Sequence, residues 1–175
     1  MITKRNLFAL GLGGAATLTA TQLLGGRGVA VAASGKKGMF EIMKSDAEWR
    51  EQLTEMQYYV LREDGTERPF TSPLNDEKRA GVFHCAGCDQ ELFLSETKYD
   101  SRTGWPSFWQ EIEGKVAYSV DYVLLYPRTE EHCSRCGGHL GHVFDDGPQP
   151  TGKRHCINGV AMVFKPADGS EAVLG

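Results

Sequence analysis

Two Cys-x-x-Cys pairs constrain this chain more than any other feature. Cys85-Ala86-Gly87-Cys88 and Cys133-Ser134-Arg135-Cys136 are separated by 44 residues. Two intervening residues let a chain turn so that both sulfurs face one point. Two such pairs make the four-sulfur set of a tetrahedral zinc site, each sulfur about 2.3 Å from the ion. The separation exceeds that of a compact finger, so the metal would clip two distant knuckles of a larger domain. Four sulfurs leave no open coordination position. One structural Zn2+ per chain, held by Cys85, Cys88, Cys133 and Cys136, is therefore the expectation. Disulfides, or a redox-active Cys-x-x-Cys, are the competing uses of these sulfurs, and an oxidising compartment favours them. His84 and His132 each precede a pair and read as flanking surface residues rather than ligands.

The N-terminus bears on that compartment. Lys4 and Arg5 open a positive segment, an apolar glycine- and alanine-rich stretch runs from Leu7 to Leu24, and Ala30-Val31-Ala32 fits a small-residue cleavage site. This is the pattern of an export signal over residues 1–33. Thr3-Lys4-Arg5-Asn6-Leu7-Phe8 is similar to the twin-arginine motif, with lysine in place of the first arginine. That route carries folded proteins, so zinc would be loaded before the thiolates meet an oxidising medium. A retained membrane anchor and the ordinary unfolded-export route are the alternatives. The location expected is periplasmic or otherwise extracytoplasmic.

Removing residues 1–33 leaves 16 basic against 23 acidic residues, a net charge of −7. With no dense lysine/arginine block, a nucleic-acid partner is not expected. The remainder divides into a polar lead, 34–44, which is expected to be flexible, one domain over 45–166, and a tail, 167–175.

Ser45 and Glu48 make a capping-box pattern, and Trp49, Leu53 and Met56 recur at helical spacing, so a short helix over 46–57 is expected. Residues 115–125 alternate: Val116, Tyr118, Val120, Tyr122 and Leu124 on one face, Ala117, Ser119 and Asp121 on the other. That alternation predicts a strand, and 139–144 and 155–164 are two further candidates. Short strands, frequent glycine and one N-terminal helix indicate a mainly β domain.

The fifth cysteine, Cys156, stands outside both pairs. On a strand Arg154, Cys156 and Asn158 share one face, which puts a cation and an amide beside a thiol. A guanidinium lowers a thiol's pKa and favours the nucleophilic thiolate. A buried, inert thiol is the alternative. Upstream, His139 and His142 offer an acid/base group, although a regular strand would turn them to opposite faces unless Gly141 bends it. Trp105 and Trp109 either pack in a core or wall an apolar pocket.

Cys85-Ala86-Gly87-Cys88, Thr103-Gly104-Trp105-Pro106-Ser107-Phe108, Arg128-Thr129-Glu130, Cys136 to Phe144, Asp146-Gly147-Pro148 and Arg154-His155-Cys156-Ile157-Asn158 occur in that order. Together they resemble the signature blocks of type B methionine sulfoxide reductases over roughly 45–164. The resemblance implies two antiparallel β-sheets with few helices, and reduction of the R epimer of methionine sulfoxide in oxidised proteins as a repair reaction. It implies Cys156 as the catalytic cysteine, with His139, His142, Asn158 and Arg154 in the catalytic set. Trp105 is implied as the residue holding the substrate's methyl group, and Phe144, Asp146 and Glu130 complete the substrate-binding set. It also implies a structural zinc on the four paired cysteines.

Many members carry a resolving cysteine two residues before the site tryptophan. Here that position is Thr103. The chain therefore resembles the single-cysteine subtype, and an external thiol reductant such as a thioredoxin-like protein is implied; a monomer is the expectation. In the expected reaction the Cys156 thiolate attacks the sulfoxide sulfur, and His142, supported by His139 or Asn158, protonates the departing oxygen. Cys156 becomes a sulfenic acid. A zinc-ribbon binding module, a Cys-x-x-Cys thiol–disulfide oxidoreductase and a cysteine peptidase are the rivals. The first leaves Cys156 unexplained, the second requires metal-free pairs, and the third lacks a readable oxyanion hole.

Overall fold

Two successive capping boxes open the domain. The computed structural model describes residues 40–122, 124 and 126–175. The expected export signal, residues 34–39 of the lead, and Val123 and Leu125 of the expected strand 115–125 lie outside the described residues. The Ser45 and Glu48 box starts helix α1 (Asp46–Gln52). The single helix expected over 46–57 is instead two. Leu53 turns extended, and Thr54 begins a second box with Gln57 that starts α2 (Glu55–Glu63). A side chain that caps a new N-terminus competes with continuing the old helix. Trp49, Leu53, Tyr58, Val60 and Leu61 are buried, whereas Met56 is half exposed.

The strands form two antiparallel sheets. The four-stranded sheet has the order β10-β9-β1-β2, from β1 (Gly81–Cys85), β2 (Glu91–Leu94), β9 (Met162–Pro166) and β10 (Val173–Leu174). The six-stranded sheet has the order β3-β4-β8-β7-β6-β5, from β3 (Lys98–Tyr99), β4 (Ser107–Phe108), β5 (Val116–Asp121), β6 (Arg128–Cys133), β7 (His139–Phe144) and β8 (Arg154–Ile157). Phe83 and Phe93 of the first sheet meet Phe108 of the second, with ring centroids 4.9 Å and 4.3 Å apart. This aromatic contact joins the sheets across the core.

Three strand expectations are corrected. The strand over 115–125 ends at Asp121; on its apolar face Val116 is buried, whereas Tyr118 and Val120 are exposed along the edge strand β5. The run 155–164 is two strands in different sheets, broken by a 3-10 turn at Gly159–Ala161. Within the segment expected as a tail, Val173–Leu174 pairs with β9. In the lead, the Ile42 N–H donates to the Arg135 carbonyl at 3.0 Å, so this end of the lead is tied to the second knuckle.

Candidate active site and metal centre

The metal centre follows from the topology. The first Cys-x-x-Cys is the turn between β1 and β2, the second the turn between β6 and β7, so one cluster spans both sheets. The four Sγ atoms lie within 4.8 Å of one another, with Cys85–Cys136 at 3.7 Å and Cys88–Cys133 at 3.5 Å. A tetrahedron of zinc–sulfur bonds about 2.3 Å long has edges of about 3.8 Å, whereas a disulfide is about 2.05 Å. All five cysteines are free thiols, and the four clustered ones have the arrangement of a zinc cage. The cage is braced from outside. Gln90 donates from Nε2 to Lys115 O at 2.7 Å and to Ser134 Oγ at 3.0 Å. Arg62 donates to Cys136 O at 3.1 Å, and Gln52 to Gly87 O at 2.7 Å. His84 and His132 are buried rather than surface residues: His84 Nδ1 meets the Asp89 carbonyl at 3.0 Å, and His132 lies in β6 with its ring 5.9 Å from Phe40.

Cys156 lies apart from this cage, in the middle of the six-stranded sheet. Its neighbours in register are Ser107 on β4 and His142 on β7. It opens into a cavity of about 130 Å³, whose walls include Trp105, Arg128, His142, Phe144 and Asn158. Strand β8 passes so close to β7 that a Cβ on Gly141 would collide with the Cys156 carbonyl oxygen, and only glycine fits there.

His139 and His142 reach the same side of the sheet, contrary to the regular-strand expectation. Pairing runs Glu131↔Gly141 and then His132↔His139, so Leu140 is an extra residue on β7. This bulge reverses the facing of His139. The two rings meet edge to face, 5.5 Å between centroids.

Each histidine has a carboxylate. His139 Nδ1 pairs with Glu130 Oε1 at 2.7 Å, and Glu130 also accepts from Ser119 Oγ at 2.5 Å. His142 Nε2 pairs with Asp121 Oδ2 at 2.8 Å, and the same oxygen accepts from Arg128 at 2.5 Å. Arg154 is clamped by Asp146 through Nε at 2.8 Å and Nη2 at 2.9 Å, and lies over the Phe144 ring at 4.3 Å. Glu130 and Asp146 thus hold other side chains, His139 and Arg154, and neither lines the Cys156 cavity.

The loop before β1 ties the tryptophan to the asparagine. Trp105 Nε1 donates to the Glu67 carbonyl at 3.2 Å, and the Glu67 N–H donates to Asn158 Oδ1 at 2.9 Å. The Asn158 amide also donates to Leu140 O at 2.9 Å. The buried Glu67 carboxylate accepts from the Gly159 and Val160 N–H groups at 2.5 Å and 3.1 Å. Burial pushes Glu67 above the usual carboxylate range, against the pull of these two bonds.

The electrostatics differ from the sequence expectation at one point. Arg154 does favour the Cys156 thiolate, as does Thr103, whose Oγ1 is 3.9 Å from the sulfur. Burial outweighs both, and the thiol sits above its ordinary range. Burial also pushes His142 below the ordinary imidazole range, with Asp121 opposing and the Arg128 charge reinforcing. At neutral pH the resting pair is therefore thiol and neutral imidazole.

Asp121, Arg128 and Glu67 were not in the expected set. Asp121 and Arg128 are a register pair at the mouth of the β5–β6 hairpin. The opposite charges closing two alternating segments are the sequence signal that points to them. For Glu67, in a loop without periodicity, no such signal exists. A larger cleft of about 330 Å³ lies on the opposite side of the same sheet, beside Trp109, Tyr118 and His155, and no cysteine lines it.

The SelR domain profile matches residues 53–166. The chain is 55% identical over 127 residues to the peptide methionine sulfoxide reductase MsrB of Agrobacterium fabrum, covering 72% of this chain and 94% of that protein. It is 54% identical over 132 residues to the MsrB of Hahella chejuensis, covering 75% and 95%. It is 52% identical over 122 residues to the chloroplastic peptide methionine sulfoxide reductase B1 of Oryza sativa subsp. japonica, covering 69% and 57%.

Proposed function

The chain belongs to the SelR domain family, and from that membership and the Cys156 cavity we propose that it reduces methionine-R-sulfoxide in oxidised proteins, with Cys156 as the atom oxidised. One observation carries this reading. A thiol outside the zinc cage opens into a small cavity that has an indole wall and, in His142, an imidazole paired to a carboxylate. The zinc ion, held by Cys85, Cys88, Cys133 and Cys136, supplies cross-sheet bracing and no chemistry.

The substrate's methyl group rests against Trp105, with Phe144 beside it, and this contact selects the epimer. The Cys156 thiolate attacks the sulfoxide sulfur. Net, one oxygen passes from the substrate sulfur to Cys156, and the substrate sulfur gains the two electrons that Cys156 loses. His142 gives a proton to that oxygen, which ends as the sulfenic acid hydroxyl. His139, fixed by Glu130, packs against His142, and Asn158 is fixed from two sides. Thr103 beside Cys156 has no thiol, so recycling is external. One reductant thiol displaces water from the sulfenic acid to form a mixed disulfide, and a second thiol releases Cys156. A thioredoxin-like dithiol fits this sequence. A monomer suffices, because one chain carries every group named.

The test is turnover on separated R and S sulfoxides with monothiol and dithiol donors. Only the R epimer is consumed, and a thioredoxin-like dithiol recycles better than a monothiol. Equal use of both epimers would contradict the Trp105 contact.

The protonation states set the pH dependence. The reactive form, thiolate with imidazolium, has as many protons as the resting form, thiol with neutral imidazole. Its fraction is constant between the two titrations. As pH falls through the His142 titration, both groups become protonated and thiolate is lost. As pH rises through the Cys156 titration, the proton that the oxygen needs is lost. Single-turnover reduction should therefore be level across neutral pH and fall on both sides, on the acid side below the ordinary imidazole range and on the alkaline side above the ordinary thiol range. A rate that climbs steadily through the thiol titration would exclude His142 as donor.

Export by the twin-arginine route is part of the same proposal. It is supported by Lys4-Arg5 and by Ala30-Val31-Ala32. Cell fractionation of the full chain tests it, and export that persists when that pathway is blocked would contradict it.

A further inference from the structure

Phe70 combines two costs that folding does not recover. Its φ is +66°, in the left-handed region that bulky side chains avoid, and the residue is 74% exposed. The conformation is held from outside. The Phe70 N–H donates to the Gly104 carbonyl at 2.7 Å. Gly104 is itself left-handed at φ +91°, and a Cβ there would lie 2.7 Å from Pro69 Cβ and 2.9 Å from the Phe70 ring. The ring therefore occupies the space that the glycine leaves open, one residue before Trp105. An apolar group kept strained and in water beside a reactive cavity is positioned for something that binds.

The surroundings indicate what binds. Phe70, Tyr99, Gly104, Trp105 and Pro106 line a cavity of about 220 Å³. Trp105 is also a wall of the Cys156 cavity, so the two spaces adjoin through one indole. The charges lining the outer cavity, Lys78 and Lys98 against Asp76 and Asp100, cancel. Selection there falls on the aromatic centre.

We propose that Phe70 and the cavity it shares with Trp105 form a subsite for an apolar side chain that flanks methionine sulfoxide in an extended client polypeptide. The inference rests on reading the chain as a reductase of sulfoxide in polypeptides and names a preference within that class. An extended chain advances about 3.3 Å per residue, so residues next to a sulfoxide inserted at Cys156 must cross the rim of its cavity. Methionine is mostly a core residue, and its oxidation disrupts cores. The segments thereby released carry apolar neighbours.

The Phe70→Gly chain tests this. Glycine adopts φ +66° without strain, so the variant removes the ring while keeping the loop. Substrates are a blocked methionine-R-sulfoxide amino acid and pentapeptides with a central sulfoxide flanked by leucine or by glycine. The natural chain should prefer leucine flanks about tenfold in kcat/KM, in line with burial of one apolar side chain. Phe70→Gly should lose that preference, while the blocked amino acid, too short to reach Phe70, stays within about twofold. A leucine preference that survives, or an equal fall for every substrate, would overturn the subsite. Binding of the same peptides in unoxidised form, read by indole fluorescence, separates the subsite from the reaction. Absence of turnover on the blocked sulfoxide would sink the assigned reaction, whereas equal affinity of both chains for the leucine peptide would sink the subsite.

Discussion

Cys156→Ser should abolish sulfoxide reduction, by roughly 10⁴-fold or more, and leave fold and metal content in place. The reaction asks the nucleophile to accept an oxygen and give up two electrons, and a serine hydroxyl can do neither under these conditions. Structure should survive, because Cys156 contributes nothing to the four-sulfur cluster. Cys156 stands outside the hydrophobic core cluster, and its sulfur meets Thr103 Oγ1 at 3.9 Å rather than anchoring a core contact. Zinc analysis should give one ion per chain, and thermal melting should shift by no more than about 4 °C, the equivalent of about 1 kcal/mol. Turnover that persists in this variant would move the nucleophile elsewhere.

Removing the zinc should have the largest effect on stability. The cage takes one knuckle from each sheet, so its loss frees the β1–β2 and β6–β7 turns together. Metal binding in small zinc domains is worth about 10–16 kcal/mol. Here the aromatic core retains part of the cross-sheet contact, and a loss of about 5 kcal/mol is a reasonable share of the total. For a domain of this size that corresponds to a fall of about 10–20 °C in melting temperature. The knuckle backbone should lose hydrogen-exchange protection before β8 does, because Cys156 sits on a strand held by β4 and β7 rather than by the metal. A stripped chain that melts where the loaded one does would refute the structural role.

Local chemistry made several features legible in the sequence. Cysteine spacing identified the metal cage, because a tetrahedral ion imposes its own periodicity. The Ser45 and Glu48 box located α1, because a capping side chain acts over three residues. Other features depend on contacts distant in sequence. The break at Leu53 follows from Thr54 capping a new helix, and the exposed Tyr118 and Val120 follow from β5 lying at the sheet edge. The common facing of His139 and His142 depends on a bulge that only the pairing of β6 with β7 reveals. The Cys156 thiol departs from the sequence expectation for the same reason. Arg154 is visible two residues away, but the burial that outweighs it comes from the whole sheet. Glu67 joins Trp105, Asn158 and the turn after β8 through contacts of up to 93 residues' separation, which no local pattern encodes.

The most direct test is a single turnover on a peptide methionine-R-sulfoxide without any reductant, followed by mass analysis of the chain after trapping with a sulfenic-acid-specific dione. One methionine should form per chain, with the trap on Cys156 alone and the zinc still bound. Methionine formed with Cys156 unmodified, or with zinc released and Cys85, Cys88, Cys133 or Cys136 oxidised, would contradict the account.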